Sequence, residues 1–172
     1  MRTEVLGTWR LSLCGARPED FPSLYECVFS DIEVMRHVIS GKPLSSEAAQ
    51  AFYSQNFDAE CSGQKPGVLV ERASGEVIGF SDLMPCAVLG QSEFELGFVL
   101  ARKAWGNGYA QEIGRALLNF GFSKLKLSRL LAQVSPANIA SMGALSKIGM
   151  QLHSTVESQG RGVRHVYVAS AA

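Results

Sequence analysis

The feature that most constrains the fold is an unbroken series of strand, glycine turn, long helix and strand between residues 94 and 135. Phe94–Leu100 has the pattern of a strand, and Gly108–Lys124 places its apolar residues on one helix face. Arg129–Ser135 is a short apolar run typical of a buried strand. With the hairpins predicted before and after it, this series indicates a mixed α/β domain containing antiparallel and parallel strand pairs.

The same periodicities assign the rest of the chain. Strands are predicted at Trp9–Leu13, Val68–Ala73, Val77–Leu83, Met150–Glu157 and Val163–Ala169. Helices are predicted from Arg17–Asp20 onward, within Asp31–Ser40, from Ser45 or Ser46 to about Ala59, and over Asn138–Ile148, and Cys61–Pro66 is predicted to be a loop.

Side chains on two of these helices are expected to face the core. They are Ala48, Ala51 and Phe52 on the first helix, and Ile139, Met142, Leu145 and Ile148 on the second. Asn138 is the expected N-cap of the second helix. Gly114, inside the long helix, is expected to mark close packing, because glycine costs about 1 kcal/mol there relative to alanine.

Length and composition indicate one folded domain over residues 1–172. The chain is 47% hydrophobic and 19% charged, which excludes a disordered segment of this length. The four cysteines are widely spaced and the three histidines stand alone, which argues against a metal site or a disulfide framework. With no signal-peptide pattern and no apolar run of membrane-spanning length, we expect a reduced, cytoplasmic protein without a membrane partner.

The net charge of zero conceals an asymmetry along the chain. A zero net charge argues against a nucleic-acid partner bound by global positive charge. Residues 1–100 contain 7 lysines and arginines against 14 aspartates and glutamates, whereas residues 101–150 contain 7 against 1. This distribution indicates two different partners, one of them anionic.

The basic region surrounds a turn that resembles a phosphate site. Between Leu100 and Ala110 a strand ends, Gly106 and Gly108 occupy a short loop, and the long helix begins. Unpaired N–H groups at a helix N-terminus bind anions, and glycine lets a phosphate approach the backbone. A phosphate-bearing ligand is the favoured interpretation, and an ordinary glycine turn before a helix is the alternative.

Two common nucleotide motifs fit this turn poorly. A Rossmann site requires a third glycine where this chain has Gln111, and an acidic residue in the region of Leu130–Ala137, which has none. Gly41-Lys-Pro43 does not meet the P-loop pattern. A nucleotide-dependent oxidoreductase is therefore disfavoured.

Trp105-Gly-Asn-Gly-Tyr-Ala110 resembles the pyrophosphate signature Q/R-x-x-G-x-G/A of the GNAT superfamily, which contains acetyl-CoA-dependent N-acetyltransferases. Trp105 replaces the usual Gln or Arg, as is common in the branch that contains the ribosomal-protein N-terminal acetyltransferases. Further matches are Asp31–Arg36, Val77-Ile-Gly79, Glu95–Leu100, Pro136–Ser141 and Leu145–Met150. The resemblance covers roughly residues 8 to 170.

The resemblance implies a fold and an activity. The expected GNAT fold is α+β: a central mixed, mostly antiparallel sheet of about seven strands with a splayed parallel pair, flanked by about four helices. The expected enzyme transfers an acetyl group from acetyl-CoA, without a metal, to a primary amine of a small molecule, peptide or protein N-terminus by direct attack in a ternary complex. Many members are dimers, so a homodimer stays open.

The resemblance also implies residue roles. The pantetheine arm of CoA is expected along Phe98, Val99 and Leu100, with a contact from Asn138. Backbone amides of Trp105, Gly106, Asn107, Gly108, Tyr109 and Ala110 are expected to hold the pyrophosphate. Lys147 and either Arg102 or Lys103 are expected to reach phosphates.

Catalytic roles are less directly matched to the family. The family's tyrosine acid falls at Leu145, so Ser141 is the candidate near the sulfur; its alternative role is only to serve the helix start. A glutamate base of some relatives falls at Gln133, so Glu95 is the candidate base, with a solvent-facing carboxylate as the alternative.

The acceptor is expected between the first helices and the final hairpin, with Asp31, Arg36, His37 and Trp105 as candidate lining residues. A peptide, an amino acid, a polyamine and an aminoglycoside all remain open as acceptors. Because Leu145 and Gln133 replace familiar catalytic groups, a non-catalytic acyl-CoA-binding or sensor module is the alternative function.

Overall fold

The computed structural model describes residues 1–60 and 65–172 and folds them into a layered α+β structure around one sheet. Over these residues the eight strands are β1 Glu4–Gly7, β2 Leu11–Cys14, β3 Gly67–Glu71, β4 Val77–Cys86, β5 Glu93–Leu100, β6 Arg129–Val134, β7 Gln151–Ser158 and β8 Gly162–Ser170. They lie in the order β1-β2-β3-β4-β5-β6-β8-β7, with β5 and β6 parallel and the other described neighbours antiparallel. The predicted mixed, mostly antiparallel sheet is confirmed. Most of the loop predicted at Cys61–Pro66 lies outside the described residues.

The helices also follow the sequence pattern closely. They are α1 Phe21–Leu24, which continues into a π-helical turn at Tyr25–Phe29, α2 Ile32–Met35, α3 Ser46–Asn56, α4 Tyr109–Ser123 and α5 Ile139–Lys147. Ser45 Oγ accepts from the Ala48 amide at 3.1 Å, which selects Ser45 as the cap of α3. None of the described helices is long and apolar enough to span a membrane.

One strand of the sheet, β1, is missing from the sequence prediction. It has four residues, its ends at Glu4 and Gly7 are exposed, and its pairing with β2 contains a register shift. So short an edge strand has no alternating apolar pattern to reveal it. Glu4 fixes it instead, because its carboxylate accepts from Ser12 Oγ at 2.5 Å and from Arg72 Nη2 at 2.9 Å.

Two cores lie on the two faces of the sheet. Helices α4 and α5 cover one face, with Ile113, Leu117 and Leu145 buried. The first three helices cover the other, where Leu24, Phe29, Met35, Ala49 and Tyr53 are buried.

The predicted inner faces of two helices are right in part: Phe52, Met142, Leu145 and Ile148 pack against the core, whereas three other residues do not. In α3 the buried residues are Ala49 and Tyr53, and Ala48 and Ala51 are exposed. The Tyr53 hydroxyl donates to the Arg17 carbonyl at 2.8 Å, which rotates that face inward. Ile139 is 71% exposed because the first turn of α5 borders a cleft instead of the core.

Gly114 has the role expected of it. A Cβ built at this position would lie 2.8 Å from Ile148 Cδ1, just beyond the end of α5. The glycine therefore lets α4 approach the end of α5 closely, which confirms close packing as the reason for its presence.

The parallel strands β5 and β6 separate along their length. Within the described residues their register contains one pair, Glu95 with Leu131. Beyond that pair, β5 remains bonded to β4 as far as Leu100, and β6 remains bonded to β8. The splayed pair that the resemblance implied is thus present, and it opens a cleft beside Phe98–Leu100.

We expect Gly79→Ala to destabilise the fold by about 3 kcal/mol or more. A Cβ at Gly79 would lie 2.0 Å from the Val99 carbonyl oxygen and 3.1 Å from Leu100 Cα, so the β4–β5 backbone would have to move. Gly143→Ala is the control, since it lies in α5 with nothing within 4 Å of its Cβ position. It is expected to stabilise slightly through helix propensity. Urea unfolding measures both, and equal stability of the two variants would contradict this account.

Candidate active site

A first cleft of about 560 Å³ lies where β5, α2 and the starts of α4 and α5 meet. Most of the residues predicted to bind the coenzyme line it: Phe98, Val99, Leu100, Trp105, Gly106, Gly108, Tyr109, Ala110, Asn138, Ser141 and Lys147. Lys103 and Asn107 lie outside its lining. The fold therefore brings together segments that are about 30 residues apart in the sequence.

The glycine turn has the geometry of an anion site. Gly106 and Gly108 have φ values of +77° and +78°, a left-handed conformation that disfavours other residues. Gly108 is the N-cap of α4, and its carbonyl accepts from the Glu112 amide at 3.1 Å. The amides of Tyr109, Ala110 and Gln111 precede that bond, so they have no intrahelical acceptor and are free to bind an anion in the cleft.

The side chains of Asn107 and Trp105 hold the conformation of the turn through hydrogen bonds to backbone carbonyls. Asn107 Nδ2 donates to the carbonyls of Ala104 at 3.1 Å and Trp105 at 3.2 Å. Trp105 Nε1 donates to the Leu100 carbonyl at 2.9 Å, which fixes the indole at the end of β5. Asn107 thus holds the loop conformation with its side chain, while the indole of Trp105 is half exposed at the cleft.

Glu112 anchors the start of α4 to the N-terminal part of the chain. Its carboxylate accepts from Thr8 Oγ1 at 2.6 Å, from the Arg10 amide at 2.8 Å and from Arg10 Nε at 2.7 Å. The guanidinium of Arg10 lies 4.5 Å from the centre of the Tyr109 ring, and Arg10 Nη2 lies 3.6 Å from the Cβ position of Gly108. Arg10 is therefore held beside the glycine turn, paired with Glu112 and outside the lining of the first cleft, a position the sequence did not suggest.

The predicted phosphate-binding cations have different surroundings. Lys147 lines the first cleft. Lys103 Nζ is paired with Glu76 at 2.6 Å, and Arg102 Nη2 is paired with Asp31 at 2.7 Å. Of the three, Lys147 is the cation that the fold directs to the cleft.

A second cleft of about 340 Å³ adjoins the first. Both are lined by His37, Val38, Phe98, Val99, Asn138 and Ser141, so Asn138 and Ser141 lie at their junction. Asn138 Oδ1 accepts from the Ser141 amide at 3.3 Å, which confirms Asn138 as the N-cap of α5.

The second cleft contains two acidic side chains on adjacent strands. Glu95 lies on β5, and Asp82 lies on β4 directly opposite Gly97, so both project from the same face of the sheet. A Cβ at Gly97 would lie 2.9 Å from Asp82 Oδ1, so the glycine leaves space for that carboxyl group. Gln133 Nε2 donates to Glu95 Oε2. Glu95 therefore faces the cleft, as expected, and Asp82 is an acidic neighbour that the sequence analysis missed.

The environment of Asp82 favours its protonated form. Burial raises the pKa of Asp82 to about 7, and the negative charge of Glu95 acts in the same direction. The guanidinium of Arg161 opposes both effects. A carboxyl group with a pKa near neutrality, at the wall of a cleft, is suited to accept a proton.

The described residues contain no group of three or more His, Cys, Asp or Glu side chains placed to hold a metal ion.

Residues 10–151 match the family model described as "Acetyltransferase (GNAT) domain". The chain belongs to the GNAT acetyltransferase family.

The chain is also similar to individual proteins. This GNAT domain is 30% identical over 151 residues to the uncharacterized protein YkkB of Bacillus subtilis, covering 88% of this chain and 87% of that protein. It is 28% identical over 126 residues to the FsC-acetyl coenzyme A-N(2)-transacetylase of Aspergillus fumigatus, covering 70% of this chain and 54% of that protein.

Solved structures show the same fold. The GNAT-family acetyltransferase of Bacillus anthracis superposes with a TM-score of 0.81 at 24% identity, covering 99% of this chain and 98% of that one. AAC(6')-Ib, solved in complex with ribostamycin and coenzyme A, superposes with a TM-score of 0.73 at 18% identity, covering 94% and 92%.

The residues expected to line the acceptor site are only partly brought together. His37 lines both clefts, and Trp105 lines the first. Asp31 is paired with Arg102, and Arg36 is paired with Glu33 at 2.6 Å, and neither lines a cleft. The final hairpin contributes Arg161 and Arg164 instead, which the sequence analysis did not single out.

We expect Asp82→Asn to stabilise this GNAT domain increasingly between about pH 4 and pH 7, with a constant gain above pH 7. The folded-state pKa of about 7 exceeds the ordinary value of 3.8, so the proton on Asp82 stabilises the fold at low pH. That contribution is lost as pH rises through the folded-state pKa, and asparagine does not titrate. Chemical denaturation at a series of pH values measures the difference.

Asp31→Asn provides a control of opposite sign. Burial raises the pKa of Asp31, but hydrogen bonds from Arg102 and from the Val34 and Glu33 amides outweigh it and hold the pKa below 3.8. This variant should therefore lose stability above about pH 4. A loss of stability for Asp82→Asn at pH 8 would contradict the account of Asp82.

Proposed function

We propose that this protein transfers the acetyl group of acetyl-CoA to a primary amine by direct attack in a ternary complex. The observation that supports this most strongly is the junction of the two clefts at Asn138 and Ser141. One cleft presents unpaired helix amides suited to a diphosphate, and the other presents acidic side chains suited to an amine. The Trp-Gly-x-Gly-Tyr-Ala form of the turn further favours kinship with the ribosomal-protein N-terminal acetyltransferases.

The coenzyme would lie along the first cleft. Backbone amides from Gly106 to Ala110 would bind the pyrophosphate, with Asn107 holding the turn from within. The Trp105 amide, which was also predicted to bind it, instead donates to the Arg102 carbonyl at 3.1 Å. The pantetheine arm would occupy the gap beside Phe98–Leu100, where β6 has diverged from β5. At the end of this gap the Leu100 carbonyl already accepts from Trp105 Nε1. Asn138 would contact the arm, and Lys147 would reach a phosphate, while Lys103 stays paired with Glu76.

The amine would be deprotonated by the pair Asp82 and Glu95. A primary amine is mostly protonated at neutral pH, so attack requires a proton acceptor. Asp82 is the member that titrates near neutrality. Glu95, fixed by its hydrogen bond from Gln133, would draw the ammonium group into the cleft and keep the pKa of Asp82 high. This assignment extends the sequence prediction, which named Glu95 alone.

The leaving group needs less assistance. A thiol has a pKa of about 8.5, so the CoA thiolate is a fair leaving group and a weak acid suffices. Ser141 lies where the clefts meet, which makes it the candidate donor near the sulfur. Positioning of the two reactants would then supply much of the rate.

The alternative is a non-catalytic acyl-CoA sensor. It is favoured by Leu145, which is buried where relatives place a tyrosine acid, and by Gln133 where some place a glutamate. Asp82 weakens the sensor alternative, because it places a carboxyl group in the second cleft although Gln133 replaces the glutamate of some relatives.

Gly108→Glu is expected to weaken acetyl-CoA binding by 100-fold or more, because it puts a carboxylate among the amides proposed for the pyrophosphate. Gly75→Glu is the matched control. Gly75 has a φ of +73° and nothing within 4 Å of its Cβ position, so it imposes similar backbone strain and the same charge in the turn between β3 and β4. Calorimetric titration with acetyl-CoA compares them. Equal affinities would contradict the proposed site.

The rate of acetyl transfer should depend on Asp82. We expect kcat/KM of the wild type to rise with pH through about 7 as Asp82 loses its proton, measured as acetyl-CoA consumption over a panel of amines. Asp82→Asn should lower kcat/KM on the order of 10²-fold and remove this limb of the profile.

Glu157→Gln, an exposed carboxylate on β7, serves as the control and should keep both the rate and the limb. An unchanged limb in Asp82→Asn would exclude Asp82 as the base. A wild type that binds acetyl-CoA but acetylates no amine would favour the sensor alternative.

A further inference from the structure

One cation in the second cleft has no carboxylate partner among the described residues to offset its burial. Arg164, on β8, is only 6% exposed and lines the cleft. Its Nη1 donates to the His37 carbonyl at 3.3 Å, whereas its Nε is buried without a hydrogen-bond partner. Within residues 1–60 and 65–172, no carboxylate oxygen lies within 4.0 Å of this guanidinium.

An unpaired buried arginine is costly for a fold to retain. Burying a charge without an ionic partner destabilises the fold, and leaving a buried donor unpaired adds to that cost. Burial and the positive charge of Arg161 lower the pKa of Arg164, and the negative charge of Glu95 offsets this only in part. An anionic group of a ligand would offset these costs, because it would enter the cleft that the guanidinium lines.

The second cleft therefore contains charges of both signs on different elements. Asp82 and Glu95 belong to adjacent strands at the centre of the sheet, whereas Arg161 and Arg164 belong to the final hairpin. Gln133 Oε1 is a further buried atom in this cleft without a partner. A ligand with an ammonium group and a carboxylate would complement both pairs.

We propose that the acceptor is a small amino acid, and that Arg164, with Arg161 beside it, binds the acceptor's carboxylate while the amine faces Asp82 and Glu95. This inference rests on the proposed acetyl transfer. Polyamines and aminoglycosides fit less well, because they carry only positive charge and would bring it close to two arginines. A planar guanidinium binds a carboxylate through two parallel hydrogen bonds, which fixes the acceptor's orientation as well as its affinity.

The reaction balances without a further reactant. The acceptor's nitrogen forms a bond to the acetyl carbon, and the bond from that carbon to the CoA sulfur breaks. The ammonium group loses one proton to the Asp82 and Glu95 pair before attack, and this proton is released to solvent after turnover. The nitrogen loses a second proton as the amide forms, and the thiolate takes up one proton at the junction of the clefts. The products are an N-acetyl amino acid and CoA.

The test compares amino acids with their amides and with the corresponding decarboxylated amines, using kcat and KM for each. The wild type is expected to prefer the free amino acid on the order of 10²-fold in kcat/KM, as for loss of a charge-assisted hydrogen-bond pair. Arg164→Gln should reduce this preference to a few-fold, mainly by raising KM for the free amino acid. Lys124→Gln, which removes an exposed cation outside both clefts, should keep it.

The outcomes separate the two proposals. Amines acetylated without preference for a carboxylate, or a preference that survives Arg164→Gln, would overturn this inference and leave acetyl transfer standing. If no amine is acetylated at all, the proposed function itself fails.

A measurement on the wild type alone covers the case in which Arg164→Gln does not fold. N-acetyl amino acids should inhibit at concentrations on the order of 10²-fold lower than their methyl esters, since the ester lacks the carboxylate charge. Equal inhibition by acid and ester would overturn the proposal.

Discussion

The divergence of β5 and β6 is the constraint on which the rest of the site depends. Each strand is held on its outer side, β5 by β4 and β6 by β8, so neither is free to close the gap. A gap between neighbouring strands leaves backbone donors and acceptors without partners, which is costly unless a ligand or water bonds them. Gly79 contributes to this arrangement, because its missing side chain lets β4 approach the backbone of Val99 and Leu100. The same close approach that stabilises the sheet therefore holds one wall of the cleft in place.

Local signals in the sequence were sufficient for most of the fold and for the first cleft. The glycine turn, the apolar face of α4 and the Asn138 cap each depend on residues within one or two helical turns of each other. The errors arose where a distant partner decides the outcome. The face of α3 is set by the bond from Tyr53 to Arg17, 36 residues away, and β1 is held by contacts of Glu4 with Ser12 and Arg72. Periodicity contains no information about such partners.

The positions of the functional residues likewise depend on distant partners that the local sequence does not reveal. Lys103 and Arg102 lie next to the turn in sequence, yet Glu76 and Asp31 pair with them and direct them away from the first cleft. Arg10 is nearly 100 residues away in sequence, yet Glu112 holds it beside the turn. Asp82 is significant only because the β4–β5 register sets it opposite Gly97. The sequence predicts that β4 and β5 are neighbours, but it does not predict their register. A slip of one residue would move Asp82 to the other face of the sheet.

Among the described residues, four buried side-chain atoms lack a hydrogen-bond partner: two lie in the second cleft, and the others are Arg17 Nε and Glu93 Oε2. Elsewhere a buried charge can be fully paired: Asp20 is 2% exposed and accepts from Arg2 and from the Arg17 amide. The second cleft instead combines unpartnered atoms of Gln133 and Arg164 with an aspartate whose pKa is displaced to about 7. Each of these features lowers the stability of the fold, and the second cleft places two unpaired atoms beside a carboxyl group whose pKa is displaced. A bound substrate with one anionic and one cationic group would pair with these side chains. The free energy that the unpaired groups cost the fold would then contribute to the affinity for the acceptor.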